Sequence, residues 1–205
     1  MCGIVALVGS REAAPQLLEG LRQLEYRGYD SAGIATVGAQ GQLTCLRAKG
    51  KLRNLTACFE AEGAPGQCGI GHTRWATHGK PEERNAHPHR SGDGALAVVQ
   101  NGIIENHRAL REQLEASGVV FQSETDTEVI PHLLSAELQQ LQVAGTTPGG
   151  GLLLEALQRV LPKLQGAYAL AVIWDQAPGA LVVARKAAPL SVSYTHLRAH
   201  ETGYN

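Results

Sequence analysis

The chain has 205 residues, 43% of them hydrophobic, and its 18 Lys and Arg against 19 Asp and Glu leave a net charge of −1. That is enough apolar material for one domain with a real core, while the even charge balance and 4% aromatic content exclude an electrostatic grip on nucleic acid or an anionic membrane. No apolar run approaches the roughly 18 residues of a membrane span, and no basic segment precedes an apolar start, so a cytoplasmic protein acting on a small partner is expected.

Ile4 to Val8 is a short apolar run that reads as a buried strand, and Leu17, Leu18, Leu21 and Leu24 recur behind it at helical spacing. "AGIATVG" and "LTCLRAKG" read as two strands joined by the turn at 38 to 42, and "KLRNLTACFEAEG" as a helix closed by Gly63. "ALAVVQNG" is a further strand. Asn106 is placed to cap a helix carrying Leu110 and Leu114 and ending at Gly118. Thr125 and Glu128 form a capping-box pattern ahead of Val129, Leu133 and Leu134, with Pro131 near the first turn. "GLLLEALQRVLPKLQG" predicts the last helix, and "AYALAVIWD" and "ALVVARK" a strand pair around a turn near Pro178 and Gly179. Strands come in adjacent pairs and not in βαβ alternation, which predicts an α+β fold of antiparallel sheets with helices on their outer faces. After Leu190 the patterning stops. "SVSYTHLRAHETGYN" resembles an in-frame translation of a sequencing-library adapter, so residues 191–205 are expected to be a non-native tail, and the metal-like spacing of His196, His200 and Glu201 is discounted.

The chemistry-bearing residues each admit two readings. The chain opens "MCGIVALVG". A small residue at position two permits removal of Met1, leaving Cys2 with a free α-amine beside its thiol. With an amine pKa of about 7.7 to 8.0 and a thiol near 8.5, one residue can then be nucleophile and base; otherwise Cys2 merely begins a buried strand. Cys2, Cys45, Cys58 and Cys68 lack CxxC spacing, so neither a disulfide framework nor a zinc knuckle is indicated. Asn101 and Gly102, at the end of an apolar strand, offer two N–H donors to a developing oxyanion, or else form a plain β-turn. Arg74 presents a fork matched to a carboxylate, or a surface salt bridge. Asp126 presents an acceptor for an ammonium, or a charge at a helix start beside Thr125. His72, His78 and the "HPH" at 87 to 89 invite a metal, but no carboxylate or thiolate completes a ligand set. Gly69 and Gly71 do not make a phosphate loop.

Six stretches, "MCGIV", "EYRGYDSAG" at 25 to 33, "HTRWATHG" at 72 to 79, "NAHPH" at 85 to 89, "NGIIEN" at 101 to 106 and "SETDTE" at 123 to 128, stand in an order and spacing that resemble the glutaminase domain of the glutamine:fructose-6-phosphate amidotransferases, from Cys2 to about Leu190. "EYRGYDSAG" separates these from amidotransferases acting on phosphoribosyl pyrophosphate. The resemblance implies a four-layer α/β/β/α sandwich of two antiparallel sheets, the N-terminal-nucleophile hydrolase fold. It implies glutamine hydrolysis through a Cys2 thioester, an oxyanion hole of Asn101 and Gly102, and substrate contacts from Arg74, Thr77, His78 and Asp126. By the same resemblance Trp75 gates ammonia passage, and Arg27 lies in a loop closing over glutamine, although a cation at a helix C-terminus is an equal reading of Arg27. No cofactor or metal is implied. Fructose 6-phosphate is met only through sugar-isomerase domains absent from these residues, and the full-length enzyme is expected to be a homo-oligomer. One departure is Gln100, where the family often has His, and it is expected to tune packing more than chemistry. A glutamine-sensing module that kept the fold would show a lost nucleophile or a broken oxyanion motif; here Cys2 and Asn101-Gly102 are both present.

Overall fold

The computed structural model describes residues 2–75 and 79–193. Two four-stranded antiparallel sheets lie face to face. The first takes β1 (Gly3–Val8), β2 (Ser31–Val37), β3 (Leu43–Lys49) and β4 (Cys68–Arg74) in the order β1-β4-β2-β3. The second runs in chain order through β5 (His89–Arg90), β6 (Leu96–Gly102), β7 (Tyr168–Trp174) and β8 (Val182–Lys186). Helices α1 (Ala13–Leu24) and α2 (Leu52–Glu62) cover the first sheet, packing Leu17, Leu21 and Leu55 on Ile34 and Leu46. Over the second lie α3 (His107–Ala116), α4 (Val129–Val143) and α5 (Gly150–Val160), whose Leu110, Leu134 and Leu153 meet Leu96, Val98 and Leu170.

Each strand therefore sends alternate residues to a helix layer and to the space between the sheets. Between the sheets a small cluster of Ala35, Val37, Cys68, Ile70, Ala97, Val99, Ala171 and Ile173 is packed, with Ile4 and Ala6 against it. Counting by twos from these residues puts Cys2 in step with Ile4 and Ala6, His72 with Cys68 and Ile70, and Asn101 with Ala97 and Val99. The pleat aims all three at the same end of the sandwich.

The hydrophobic pattern does not predict β4. Its sequence, CGIGHTR, holds few large apolar residues, yet it pairs with both β1 and β2. The glycines are there because α1 lies close: a Cβ at Gly69 would stand 2.8 Å from Leu17 Cδ1, and one at Gly71 3.1 Å from Leu21 Cδ1. Two expected caps are also not made. Asn106 does precede α3 but makes no side-chain cap; it donates to Lys163 O at 2.9 Å and accepts from Gln165 N at 3.0 Å, tying two loops together. Thr125 and Glu128 form no capping box, because both side chains are spent on a buried polar network described below.

Candidate active site

Cys2 sits at the mouth between the sheets, where the Trp75 N–H donates to its Sγ at 3.2 Å. Burial pushes the thiol pKa up, opposed by that N–H; the Asp30 carboxylate adds to the rise and the Arg74 guanidinium counters it. At neutral pH the group is a thiol that needs a base to become a nucleophile. Asn101 approaches from the facing sheet and donates its Nδ2 to the Cys2 carbonyl at 3.2 Å. Its Oδ1 lies 2.9 Å from His72 Nε2. Gly102 follows with φ of +113°, and a Cβ there would fall 2.1 Å from Ala167 O. The strand end is a bend that only glycine accommodates, and Asn101-Gly102 continues β6 paired with β7, so it is not the plain hairpin turn.

Arg74 is 3% exposed, which removes the surface salt bridge as its explanation. Its guanidinium lies 3.6 Å from the Asp30 carboxylate and donates to Gly79 O at 3.1 Å and Lys80 O at 3.4 Å. Asn85 continues the chain of contacts, donating to Lys80 O and Glu124 Oε2 and accepting from Glu124 N. Asp126 stands two residues further on. It is not a cap or first-turn residue of α4; its Oδ2 accepts the Ile104 N–H at 2.7 Å, which fixes it against the segment directly after Gly102. A buried cation and a buried anion are thus joined through loops that flank Asn101.

Trp75 is 47% exposed and meets Tyr29 edge-to-face with ring centroids 5.3 Å apart. Arg27 closes the 3₁₀ turn Glu25–Arg27, with its guanidinium 5.9 Å from the Tyr26 ring centroid. Its Nε is buried without a hydrogen-bond partner among the described residues, so it is not spent on terminal carbonyls through that atom. Thr77 and His78 lie outside the described residues.

The pattern of the glutamine amidotransferase domain matches residues 72–199, more than half of the chain. The chain belongs to that family. A glutamine–fructose-6-phosphate aminotransferase (isomerizing) of Thermosynechococcus vestitus is 57% identical over 194 residues, covering 95% of this chain and 30% of that protein. The Escherichia coli K12 protein of the same name is 52% identical over 192 residues, 94% of this chain and 30% of its own length. The chain therefore spans about 30% of the curated relatives it matches. A Bacillus subtilis glutamine phosphoribosylpyrophosphate amidotransferase superposes with a TM-score of 0.67 at 30% identity, covering 85% of this chain and 35% of that one. The amidotransferase domain has the expected sandwich of two antiparallel sheets between helix layers, the N-terminal-nucleophile hydrolase architecture. Among the described residues no helix is long and apolar enough to cross a membrane.

In this amidotransferase domain, the residues that sequence reasoning passed over are the partners of the histidines. The rings of His72, His87 and His89 form a buried row with centroids 4.2 and 4.7 Å apart. His87 Nε2 lies 2.9 Å from Thr127 Oγ1, which donates to Gln100 Oε1 at 2.7 Å. Gln100 is thus part of the polar network and not merely packing. His89 Nε2 lies 2.9 Å from Thr125 Oγ1, which lies 3.0 Å from Ser123 Oγ, and Ser123 in turn donates to Glu128 Oε2 at 2.5 Å. Because the Glu128 carboxylate takes the Ser123 proton, Thr125 must give its own to Ser123 and accept the Nε2–H of His89. The row is a neutral hydrogen-bonded spine, with Nε2 nitrogens committed to protein acceptors.

Proposed function

We propose that this chain hydrolyses L-glutamine to glutamate and ammonia through a thioester on Cys2. The supporting observation is that Trp75 N–H meets the Cys2 sulfur while Asn101 Nδ2 meets the carbonyl of the same residue, so nucleophile and amide donor share one point. With Met1 removed, the Cys2 amine takes the thiol proton and the thiolate attacks the side-chain amide carbon. The C=O π pair becomes an oxyanion, held by Asn101 Nδ2 and the Gly102 N–H. Collapse breaks the C–N bond as the ammonium proton passes to the leaving nitrogen. Ammonia departs, and water cleaves the thioester to glutamate and free thiol. In this reading Arg74 takes the α-carboxylate and Asp126 the α-ammonium. Thr77 and His78 are assigned to glutamine binding, Arg27 lies in the loop that closes over glutamine, and Trp75 stands at the ammonia exit.

The relatives' names support a destination for it: in this reading the ammonia passes to fructose 6-phosphate within a longer enzyme, of which the chain spans about 30%, and that enzyme works in the cytoplasm. The domain is proposed to occupy residues 2–190, supported by the close of β8 at Lys186. The 205-residue polypeptide, purified with Met1 removed, is expected to release glutamate and ammonia in equal amounts. It should form no amino sugar and show no stimulation by fructose 6-phosphate, because every group invoked above acts on glutamine and coupling between two sites needs both. Amino-sugar product would overturn this division of labour, and no glutamate release would overturn the glutaminase reading.

Arg74→Lys keeps the charge and loses the two-pronged fork, so the glutamine KM should rise about tenfold or more while the thermal midpoint moves by only a few degrees. Steady-state kinetics beside a melting curve decide it. A variant that unfolds while its folded fraction keeps the parent KM assigns Arg74 to the Gly79–Lys80 loop alone.

A further inference from the structure

We infer that His72 is a positioning residue for the oxyanion asparagine, fixing which end of the Asn101 amide faces the nucleophile. The inference rests on the glutaminase reading and adds a residue to it. The Cys2 carbonyl can only accept, so the end of the amide 3.2 Å away is Nδ2, and Oδ1 is turned to His72 at 2.9 Å. That oxygen can only accept in its turn. His72 must therefore present Nε2–H, and it can do so only as that tautomer or as the imidazolium. Burial holds His72 at a pKa of about 4, which leaves the neutral Nε2–H form at physiological pH.

An asparagine amide rotated by half a turn puts an oxygen where the oxyanion forms, replacing a donor by a repulsive lone pair. What prevents the rotation is the fully buried imidazole. Its ring is itself fixed by the His87 ring at 4.2 Å, which is tied to Thr127, and Thr127 is adjacent to Asp126. Among the described residues the sulfur's hydrogen bonds go to Trp75 and the His72 Nε2 bond goes to Asn101, so His72 acts through Asn101.

The test compares His72→Leu, which removes the donor, with His72→Gln, whose Nε2 can stand near the imidazole Nε2. His72→Leu is expected to lower glutaminase kcat about a hundredfold, the order of effect of a misplaced catalytic group. The glutamine KM should stay within about threefold and the iodoacetamide alkylation rate of Cys2 within about twofold, since neither depends on the amide orientation. His72→Gln should recover at least about tenfold of the lost kcat. A ¹⁵N-histidine spectrum of the parent protein at pH 7 gives a readout independent of activity and of any variant's folding, and should show His72 protonated at Nε2 and bare at Nδ1. A His72 resonance with the proton on Nδ1 overturns the inference, as does a His72→Leu loss confined to KM or a His72→Gln variant no better than leucine. Each of those leaves the glutaminase reading standing, whereas a parent protein that releases no glutamate removes both.

Discussion

Cys2→Ala is expected to abolish glutamate release, a loss of at least about a thousandfold, and to leave the thermal midpoint nearly unchanged. The size follows from the two tasks of the residue. Removing the sulfur removes the covalent route, and the oxyanion donors then have no tetrahedral intermediate to stabilise. Cys2→Ser should be almost as inactive, because the amine that suffices to deprotonate a thiol is a far weaker match for an alcohol. The fold should be indifferent: Cys2 precedes β1, and among the described residues its sulfur is held by the Trp75 backbone. A second form of the experiment is more telling. An N-terminal extension that keeps the thiol but turns the amine into an amide should be as inactive as alanine, and trimming it with a protease that exposes Cys2 should restore turnover. Intact mass establishes which species is assayed. An extended chain with undiminished turnover would show that another group deprotonates Cys2, and the single-residue account would fall.

How much of this was legible in the sequence depends on whether apolar side chains carried the signal. The strands and helices rich in Leu, Ile, Val and Ala are readable because burial of those faces decides their conformation: Leu96 to Val99 alternates between a helix-facing and a sheet-facing core. Motif residues at strand ends were readable for the same reason, since the pleat carries the alternation on to Cys2 and Asn101. β4 was hidden, as its glycines are selected for close helix approach and leave little hydrophobic pattern. The roles of polar residues were hidden more deeply. Thr125 and Glu128 match a capping box letter for letter, yet Glu128 instead accepts the N–H groups of Gln122 and Ser123 at 2.8 and 2.7 Å, and Thr125 meets a histidine from another layer. Local spacing cannot tell a side chain that serves its own helix from one that serves a strand 36 residues away. His72 had no pattern of its own; only its register on an unpredicted strand brings it to Asn101.

The buried spine makes stability fall steeply with acid, and the sign can be worked out group by group. Burial holds His72 at about 4, His89 at about 3 with the nearby Glu128 carboxylate opposing, and His87 well below its ordinary value, helped by its histidine neighbours. In the unfolded chain each titrates near 6.5. Above that pH both states are neutral and the histidines contribute no pH dependence. Between about 6.5 and 4 the unfolded chain binds protons that the native protein refuses, so each histidine costs about 1.4 kcal/mol per pH unit, and three cost about 4. Glu128 adds to the loss from the other side. Burial raises it, but the His132 ring 3.6 Å away and the hydrogen bonds from Gln122 and Ser123 outweigh burial and hold it at about 2. Its stabilising effect is complete above its unfolded value near 4.5 and is lost as pH falls towards 2. Between about pH 6.5 and 4 the three histidines together cost about 9 kcal/mol, so a domain in the lower half of the usual range of about 5 to 15 kcal/mol should unfold cooperatively before pH 4. Urea midpoints followed by circular dichroism at pH 7.5, 6.5, 5.5 and 5 should fall by the equivalent of only about 1 kcal/mol over the first interval and then drop more steeply, with a slope equivalent to between two and three protons. His89→Gln, if folded, should remove about one proton from that slope. A slope below one proton between pH 6 and 5 would mean that the imidazoles are charged in the native protein, and the neutral spine would have to be abandoned.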